Sequence, residues 1–359
     1  MKYRSTELYD AKDPGAAGTE IIDIFVKEPI SRIVISGRTM YTTAPMLMHP
    51  ANYLTRIELT DGSDVLFQMD GPECQALCLY DRRVHTMNHE RFYGGLQTFC
   101  VYGLDFGRFL WDKELALIPG NFGNLKLKLT YDKDIWNTNA ATGEIEVWAE
   151  CFDEKVISPI GFLMAKEHWS AVMAATGTYY YVDLPTDYPI RQIIVRGALD
   201  KKEPWETVSE VRLDEDNMRS VPFNWEVEDY HRKMHGEWIP IDEAFCGAGD
   251  ANPNNAIYVT PTTFYTTPVI TPSVETDVWI PTQPAGGYID FRCRVQSNVY
   301  GIAHGWLPHH CIQFPMGNQQ DLDDWYDVQN KGSVRLRLRA GATETTGIGT
   351  VILQQLRRY

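Results

Sequence analysis

The sequence predicts an all-β protein made of two tandem jelly-roll β-sandwiches, a double jelly roll, with short helices in the connections. Three observations carry this expectation. The stretch Pro29-Ile30-Ser31-Arg32-Ile33-Val34-Ile35-Ser36-Gly37 returns 160 residues later, from Ile30 to Ile190, as Pro189-Ile190-Arg191-Gln192-Ile193-Ile194-Val195-Arg196-Gly197. Apolar and polar residues alternate through most of the chain, as a half-buried antiparallel sheet requires. Each half also repeats one order of signals: strand, strand, turn, strand, short helix, further strands. A parallel α/β sheet would place a helix after almost every strand, and this chain does not.

The elements follow in order. Residues 1–20 are polar and are assigned to an N-terminal arm. The first jelly roll, 21–160, opens with strands at Ile21–Val26 and Ile30–Ser36. Leu54–Asp61 alternates and runs into the turn Asp61-Gly62-Ser63, followed by Val65-Leu66-Phe67. Gly71-Pro72-Glu73 opens a helix to about Tyr80, and a short excursion follows at Asp81–Gly95. In Leu125–Tyr131 the leucines share one face and the lysines the other, a period of two that no helix can bury. Glu144–Glu150 closes the half.

Gly161–Ser170 breaks the alternation, so 161–175 is assigned to a linker, with the junction within Ser158–Ala175. The second jelly roll, 176–359, repeats the plan. Val208–Glu215 matches Leu54–Asp61, the turn lies at Asp214-Glu215-Asp216-Asn217, and Val221-Pro222-Phe223 leads into a helix from about Asn224 to His235, stopped by Gly236. A stretch at about 237–287, rich in Pro, Thr, Asn and Gly, is too long for a bare connection and predicts a surface insertion with short strands of its own. Further strands are expected at Ile257–Thr260, Phe291–Val299 and Val334–Arg339, and Thr346-Gly347 leads into the last strand as Thr142-Gly143 does in the first half.

At 359 residues the chain is long enough for two domains that each bury a core without disulfides or metal. A net charge of −15 argues against work on nucleic-acid phosphates, which draws on lysine and arginine, and no sequence-specific nucleic-acid binding is expected. Met1-Lys2-Tyr3-Arg4 leads into polar residues, and no run approaches the ~18 apolar residues of a membrane span; synthesis in cytosol is expected. The seven cysteines are scattered without a CxxC and read as free thiols.

Chemical motifs are sparse. His304-Gly305-Trp306-Leu307-Pro308-His309-His310-Cys311 offers imidazoles and a thiol within eight positions, but adjacent His309 and His310 point to opposite faces if extended, and the simpler reading is a polar turn after Pro308. His85 and His89 have helical spacing without the glutamate of a zinc-hydrolase helix. Asp321, Asp323, Asp324 and Asp327 resemble a calcium loop, but Tyr326 and Gly332 stand where glycine and glutamate are needed. There is no GxSxG and no phosphate-cradling GxxxxGK[ST], and Gly347-Ile348-Gly349 reads as a turn. The sequence thus assigns no catalytic, cofactor-binding or metal-ligating residue, no cofactor, and no enzyme activity.

Four stretches carry a resemblance: His49–Ser63, Leu184–Pro189, Asp324–Asn330 and the terminal Leu353–Tyr359. They look like capsid proteins of small tailless phages, and together with the duplication they make the chain, from about Ile21 to its end, similar to the double jelly-roll major capsid proteins of tailless icosahedral viruses, here a membrane-containing bacteriophage. That lineage includes adenovirus hexon and several membrane-containing bacteriophages. The resemblance implies a structural protein of the virion, synthesised in the host cytoplasm. It implies a homotrimer whose six jelly rolls form a pseudo-hexagonal capsomer, with neighbouring capsomers, penton or minor capsid proteins as partners. The 237–287 insertion would form an outer tower, and both chain ends would face the interior, where Lys2, Arg4, Arg357 and Arg358 could meet anionic headgroups of an internal viral membrane.

The 10 Trp and 19 Tyr are more than a small sandwich core needs, and Trp111, Trp169, Trp205, Trp238, Trp306 and Trp325 are expected either at subunit contacts or capping the open sandwich ends. The alternative is a carbohydrate- or receptor-binding tandem β-sandwich, a viral spike or lectin-like module, with Tyr179, Tyr180 and Tyr181 stacking on sugars. A jelly-roll enzyme would rest on the histidine cluster alone.

Overall fold

A computed structural model of the chain describes residues 2–40, 47–84, 88–92, 97–135, 142–153, 157–248, 255–269, 278–279, 285–293, 298–342 and 346–359. The first half supplies β1 (Tyr3–Lys12), β2 (Ala17–Asp23), β3 (Ile30–Met40), β4 (Leu54–Asp61), β5 (Asp64–Met69), helix α1 (Gly71–Arg82), β6 (Asn88–Phe92), β7 (Gln97–Asp105), β8 (Leu125–Asp132) and β9 (Thr142–Phe152). The second begins with β10 (Gly161–Val172), β11 (Tyr179–Asp183), β12 (Ile190–Ala198), α2 (Pro204–Thr207), β13 (Val208–Glu215), β14 (Ser220–Glu226) and α3 (Val227–Met234). An insertion follows, with β15 (Ile241–Ala248), β16 (Asn255–Tyr258), β17 (Pro261–Val269), β18 (Val278–Trp279), β19 (Tyr288–Cys293) and β20 (Asn298–Pro308). The chain then returns through β21 (Cys311–Pro315), β22 (Val334–Ala340) and β23 (Ile348–Arg358).

In the first half β1-β9-β3-β7 form one sheet and β2-β8-β4-β5 the other; in the second, β10-β23-β12-β21 and β11-β22-β13-β14 do the same. Reading the eight strands of each half in chain order gives the same jelly-roll path twice. The inward residues of both sandwiches, such as Ile33, Ile35, Leu127 and Leu129 in the first and Ile193, Val195, Leu336 and Leu338 in the second, are all buried in one continuous hydrophobic core.

The repetition extends to irregularities. A bulge interrupts β1 between Glu7 and Tyr9 against β9, and β10 between Glu167 and Trp169 against β23. The register shift at Ile30–Arg32 recurs at Ile190–Gln192, and that at Leu54–Arg56 recurs at Val208–Glu210. Bulges of this kind bend a strand and re-aim its side chains, so both sandwiches curve at the same places.

The two halves share sheets. β5 and β10 lie side by side in parallel, Phe67 opposite Ala165 and Gln68 opposite Lys166, which fuses sheets of the two halves into one of eight strands. On the other side β6 pairs in parallel with β15, which carries the insertion strands β20 and β17 onto the first sandwich; β16-β19-β18 make a separate small sheet.

Several expectations need correction. Tyr3–Lys12 and Ala17–Glu20, assigned to an arm, belong to β1 and β2 of the first sandwich, and the strand expected at Ile21–Val26 starts earlier and ends at Asp23; β1 lies at a sheet edge, where so few of its side chains are buried that it reads as polar. Gly161–Val172, assigned to a linker, is the first strand of the second sandwich. Its residues Gly161–Ala165 are all buried between β5 and β23, so no alternation marks them. The insertion continues past Gly287, because β19 and β20 pair with β16 and β17. Phe291–Val299 falls into two strands, with 294–297 outside the described residues. Asn224–Glu226 belong to β14, and α3 starts only at Val227.

Helix α1 runs as the sequence signals predict. Asp70 caps it, accepting from the Glu73 amide at 2.7 Å, while the Glu73 carboxylate accepts from the Asp70 amide, a reciprocal capping box. Gly71 is required by close approach, since a Cβ there would stand 2.1 Å from the Ala51 carbonyl oxygen. Arg83, left-handed at φ 53°, ends the helix.

Candidate functional site

The polar groups that the sequence scattered through both halves converge where α1 packs against the second sandwich. β12 places Arg191 and Gln192 on this contact, both almost fully buried. Arg191 donates to Asp81 of α1 and, at 2.7 Å, to Gln354 Oε1 of β23; Gln192 Nε2 donates to Asp81 and to Gln354 at 2.7 Å each. Gln354 Nε2 completes the set by donating to the second Asp81 oxygen at 2.7 Å. Beside it the Tyr80 hydroxyl donates to the Cys311 carbonyl at 2.7 Å. A buried ion pair holds only when its remaining lone pairs and protons are hydrogen-bonded, and here two glutamines do that.

A second cluster joins three parts of the chain. His309 Nε2 donates to Gln75 Oε1 of α1 at 2.9 Å, and Gln75 Nε2 donates to Asn88 Oδ1 of β6 at 2.7 Å. Asn88 donates in turn to Glu243 of β15 and to Thr260 Oγ1. The His49 ring, whose Nδ1 accepts from the Ala51 amide at 3.0 Å, stands edge-on to the His309 ring at 4.7 Å. With Nδ1 accepting, neutral His49 carries its proton on Nε2, which faces Glu243 at 3.7 Å. His309 and His310 form the tight turn between β20 and β21, both left-handed at φ 50° and 67°. Non-glycine residues there are strained by about 1 kcal/mol each. The His309 amide to Thr260 O and the His310 amide to Thr262 Oγ1, both 2.8 Å, hold them in place.

Next to this turn a cavity of about 510 Å³ opens between the halves, lined among others by Asp70, Glu73, Glu167, Arg196, His309 and His310. Arg196 Nη1 lies 2.6 Å from Asp70 and 3.4 Å from Glu73. Burial pushes the Glu73 carboxyl up, Asp70 adds to this, and Arg196 pulls only partly against them, leaving it at about 8. Burial, helped by Arg196, lowers His310 to about 4 and holds His309 well below the usual imidazole value. Both rings are therefore neutral at pH 7.

Among the described residues the sequence candidates do not assemble into a metal centre. His304 faces Asp242 on the surface of β20, His309 is turned inward to Gln75, and the Cys311 thiol points to the His309 carbonyl at 3.7 Å. His85 lies outside the described residues, and His89 stacks on Phe99 at 5.9 Å. The aspartates of the 321–327 loop serve its own turns: Asp321 accepts from the Asp323 amide, Asp324 from Asn318 and Asp327 from Gln329. Among the described residues no group of three or more His, Cys, Asp or Glu stands close enough to hold an ion.

The tryptophans pack on rings of the same chain: Trp111 on Tyr3 at 4.4 Å, Trp169 on Tyr180 at 5.9 Å, Trp205 on His231 at 5.3 Å, Trp306 on His235 at 3.8 Å, and Trp238 on Tyr230 at 5.9 Å. Trp325 is buried and donates to Asn318 O at 3.0 Å. Tyr179 and Tyr181 face outward on β11 beneath Arg337 and Arg335, while Tyr180 turns inward. At the chain ends, Arg4 pairs with Glu28 at 3.0 Å and Arg357 with Asp64 at 2.5 Å.

No sequence-family model and no curated protein matches this chain. Solved structures do. A chain of the Sulfolobus Turreted Icosahedral Virus superposes with a TM-score of 0.60 at 11% identity, over 99% of this chain and 90% of that one. A chain of the PBCV-1 virus capsid gives 0.58 at 11% identity, over 99% and 93%. The major capsid protein P2 of bacteriophage PM2 gives 0.53 at 11% identity, over 99% and 98%.

The chain has the double jelly-roll fold. With so few residues shared, what this double jelly roll has in common with those capsid chains is the path of the backbone through both sandwiches, from end to end. The two polar clusters had no signature in the sequence, because their members come from eight separate segments. The one available signal was polar residues, Arg191 and Gln192, inside an otherwise apolar strand run.

Proposed function

We propose that the protein is a major capsid protein, a structural and non-catalytic subunit of an icosahedral virion shell. The observation that carries this reading is end-to-end correspondence with viral capsid chains, which covers 99% of this chain and at least 90% of each of theirs. A likeness of one sandwich would fit many binding modules; a likeness of two sandwiches in the same mutual arrangement is far more restrictive. In this reading three copies form a homotrimeric, pseudo-hexagonal capsomer. It is made in the host cytoplasm and meets neighbouring capsomers, penton or minor proteins, and an internal membrane where the virus has one. The insertion becomes the outward tower.

Light scattering after size exclusion tests the trimer. A species near 123 kDa, three times the 41.0 kDa chain, is expected in the presence of a chelator, and negative-stain images should show a six-sided outline. A 41.0 kDa monomer that never assembles would overturn the reading. Membrane contact is tested by flotation with anionic vesicles: Arg357→Glu with Arg358→Glu should weaken it if the basic ends touch lipid. The outward pair Tyr179 and Tyr181, 42% and 58% exposed, supports a second reading as a glycan-binding face. Binding on a glycan array that is lost with Tyr181→Ala would favour it.

A further inference from the structure

The contact between the two sandwiches of one chain has a counterpart that no strand among the described residues fills. Within the chain, β5 is the last strand of its sheet in the first sandwich and β10 the first strand of its sheet in the second, and they pair in parallel at Phe67–Ala165 and Gln68–Lys166. The registers fix which residues occupy the same places in the other two edges. Leu59 faces Phe67 as Leu213 faces Phe223, and Glu58 faces Gln68 as Arg212 faces Asn224, so Phe223 and Asn224 of β14 correspond to Phe67 and Gln68. Lys166 faces Leu353 just before the bulge in β10, and Thr6 faces Ala149 just before the matching bulge in β1, so Ser5 and Thr6 correspond to Ala165 and Lys166.

Both β14 and β1 are terminal strands of their sheets. Ser220, Val221, Pro222, Asn224 and Glu226 are exposed, as are Ser5 and Glu7. A long open edge of this kind offers unpaired backbone groups to another strand. Pro222 lacks an N–H but occupies the place of Leu66, one residue before the internal ladder begins, so it leaves that ladder intact.

We propose that β14 of one copy docks in parallel beside β1 of a second copy, with Phe223 and Asn224 next to Ser5 and Thr6. This rests on the trimeric reading above and specifies its contact. The contact is head-to-tail, each copy using a different surface on either side, as a closed ring requires. The flanking charges agree. Inside the chain Arg357 of β23 reaches Asp64 at the start of β5. Between copies Asp153, one residue past β9, takes the place of Arg357, and exposed Arg219 lies next to Ser220 in the place of Asp64. The signs are exchanged, and the present partner of Asp153 is Arg4 at 3.8 Å.

Cysteine cross-linking tests this on the full-length chain. Oxidised Thr6→Cys/Asn224→Cys protein should run on a non-reducing gel as a ladder ending at three linked chains. Each single variant alone should stay unlinked like the wild type, and a mixture of the two single variants should give linked pairs. A trimer by light scattering whose double variant does not link would overturn this contact and leave the trimer standing. Self-linking of Asn224→Cys alone would replace it with a two-fold contact. A monomer without links would remove both the contact and the trimeric reading.

Discussion

Arg191 shows how much one residue can hold. Its guanidinium ties Asp81 of α1 to Gln354 of β23, with both charged side chains out of water. Removing one partner of such a pair leaves the other buried and unpaired, which typically costs about 3–5 kcal/mol. Arg191→Met should lower unfolding stability by about that amount in urea titrations, and Asp81→Asn in the same chain should recover part of it; no loss would mean that water already solvates Asp81. Glu73 and His310 make stability depend on pH in opposite directions. Glu73 keeps its proton to about pH 8 when folded and releases it from 4.5 upward when unfolded. The folded chain therefore binds more protons in that window, and this contribution falls as pH rises through it. Glu73→Gln should flatten the decline of Tm between pH 5 and 8. His310, at about 4 when folded against 6.5 unfolded, stays neutral while the unfolded ring charges. Its contribution is lost as pH falls from 6.5 toward 4, and His310→Asn should reduce that acid-side loss.

Among the elements, β8 and β10 mark the two extremes of legibility. In β8 the inward leucines alternate with outward lysines, and the strand sits where the pattern places it. Leu127→Ala should cost about 2–5 kcal/mol and Lys128→Ala within about 0.5 kcal/mol, measured by thermal or denaturant unfolding; equal effects would contradict the sandwich. β10 gives no such signal. Its first five residues are buried between β5 and β23 and its bulge at His168 shifts the phase, so a period of two cannot appear. β1 fails for the converse reason, since an edge strand with one inward residue, Leu8, looks like a polar arm.

For the molecule as a whole, the parallel β5–β10 pairing, the Asp81–Arg191 network and the cluster around His309 bind the two sandwiches into shared sheets and a shared core. One cooperative unfolding transition is therefore expected in calorimetry, and two well-separated transitions would show that the halves are energetically independent. The equivalence of the halves that makes the core continuous also leaves β14 and β1 as matching open edges.

The residue order by itself determined the all-β class, the duplication, the place of α1 and the strands whose two faces see different surroundings. Apart from the duplication, which repeats such segments 160 residues on, these are local properties, written in period, capping and turn residues a few positions apart. Only the tertiary structure decided that Tyr3–Lys12 and Gly161–Val172 are strands, that the insertion extends to Pro308, and that the histidine turn serves as a clasp between halves. The insertion depends on strands that meet some tens of residues apart and the others on segments more than a hundred residues apart, and burial by a distant partner leaves no periodic trace in the chain that is buried.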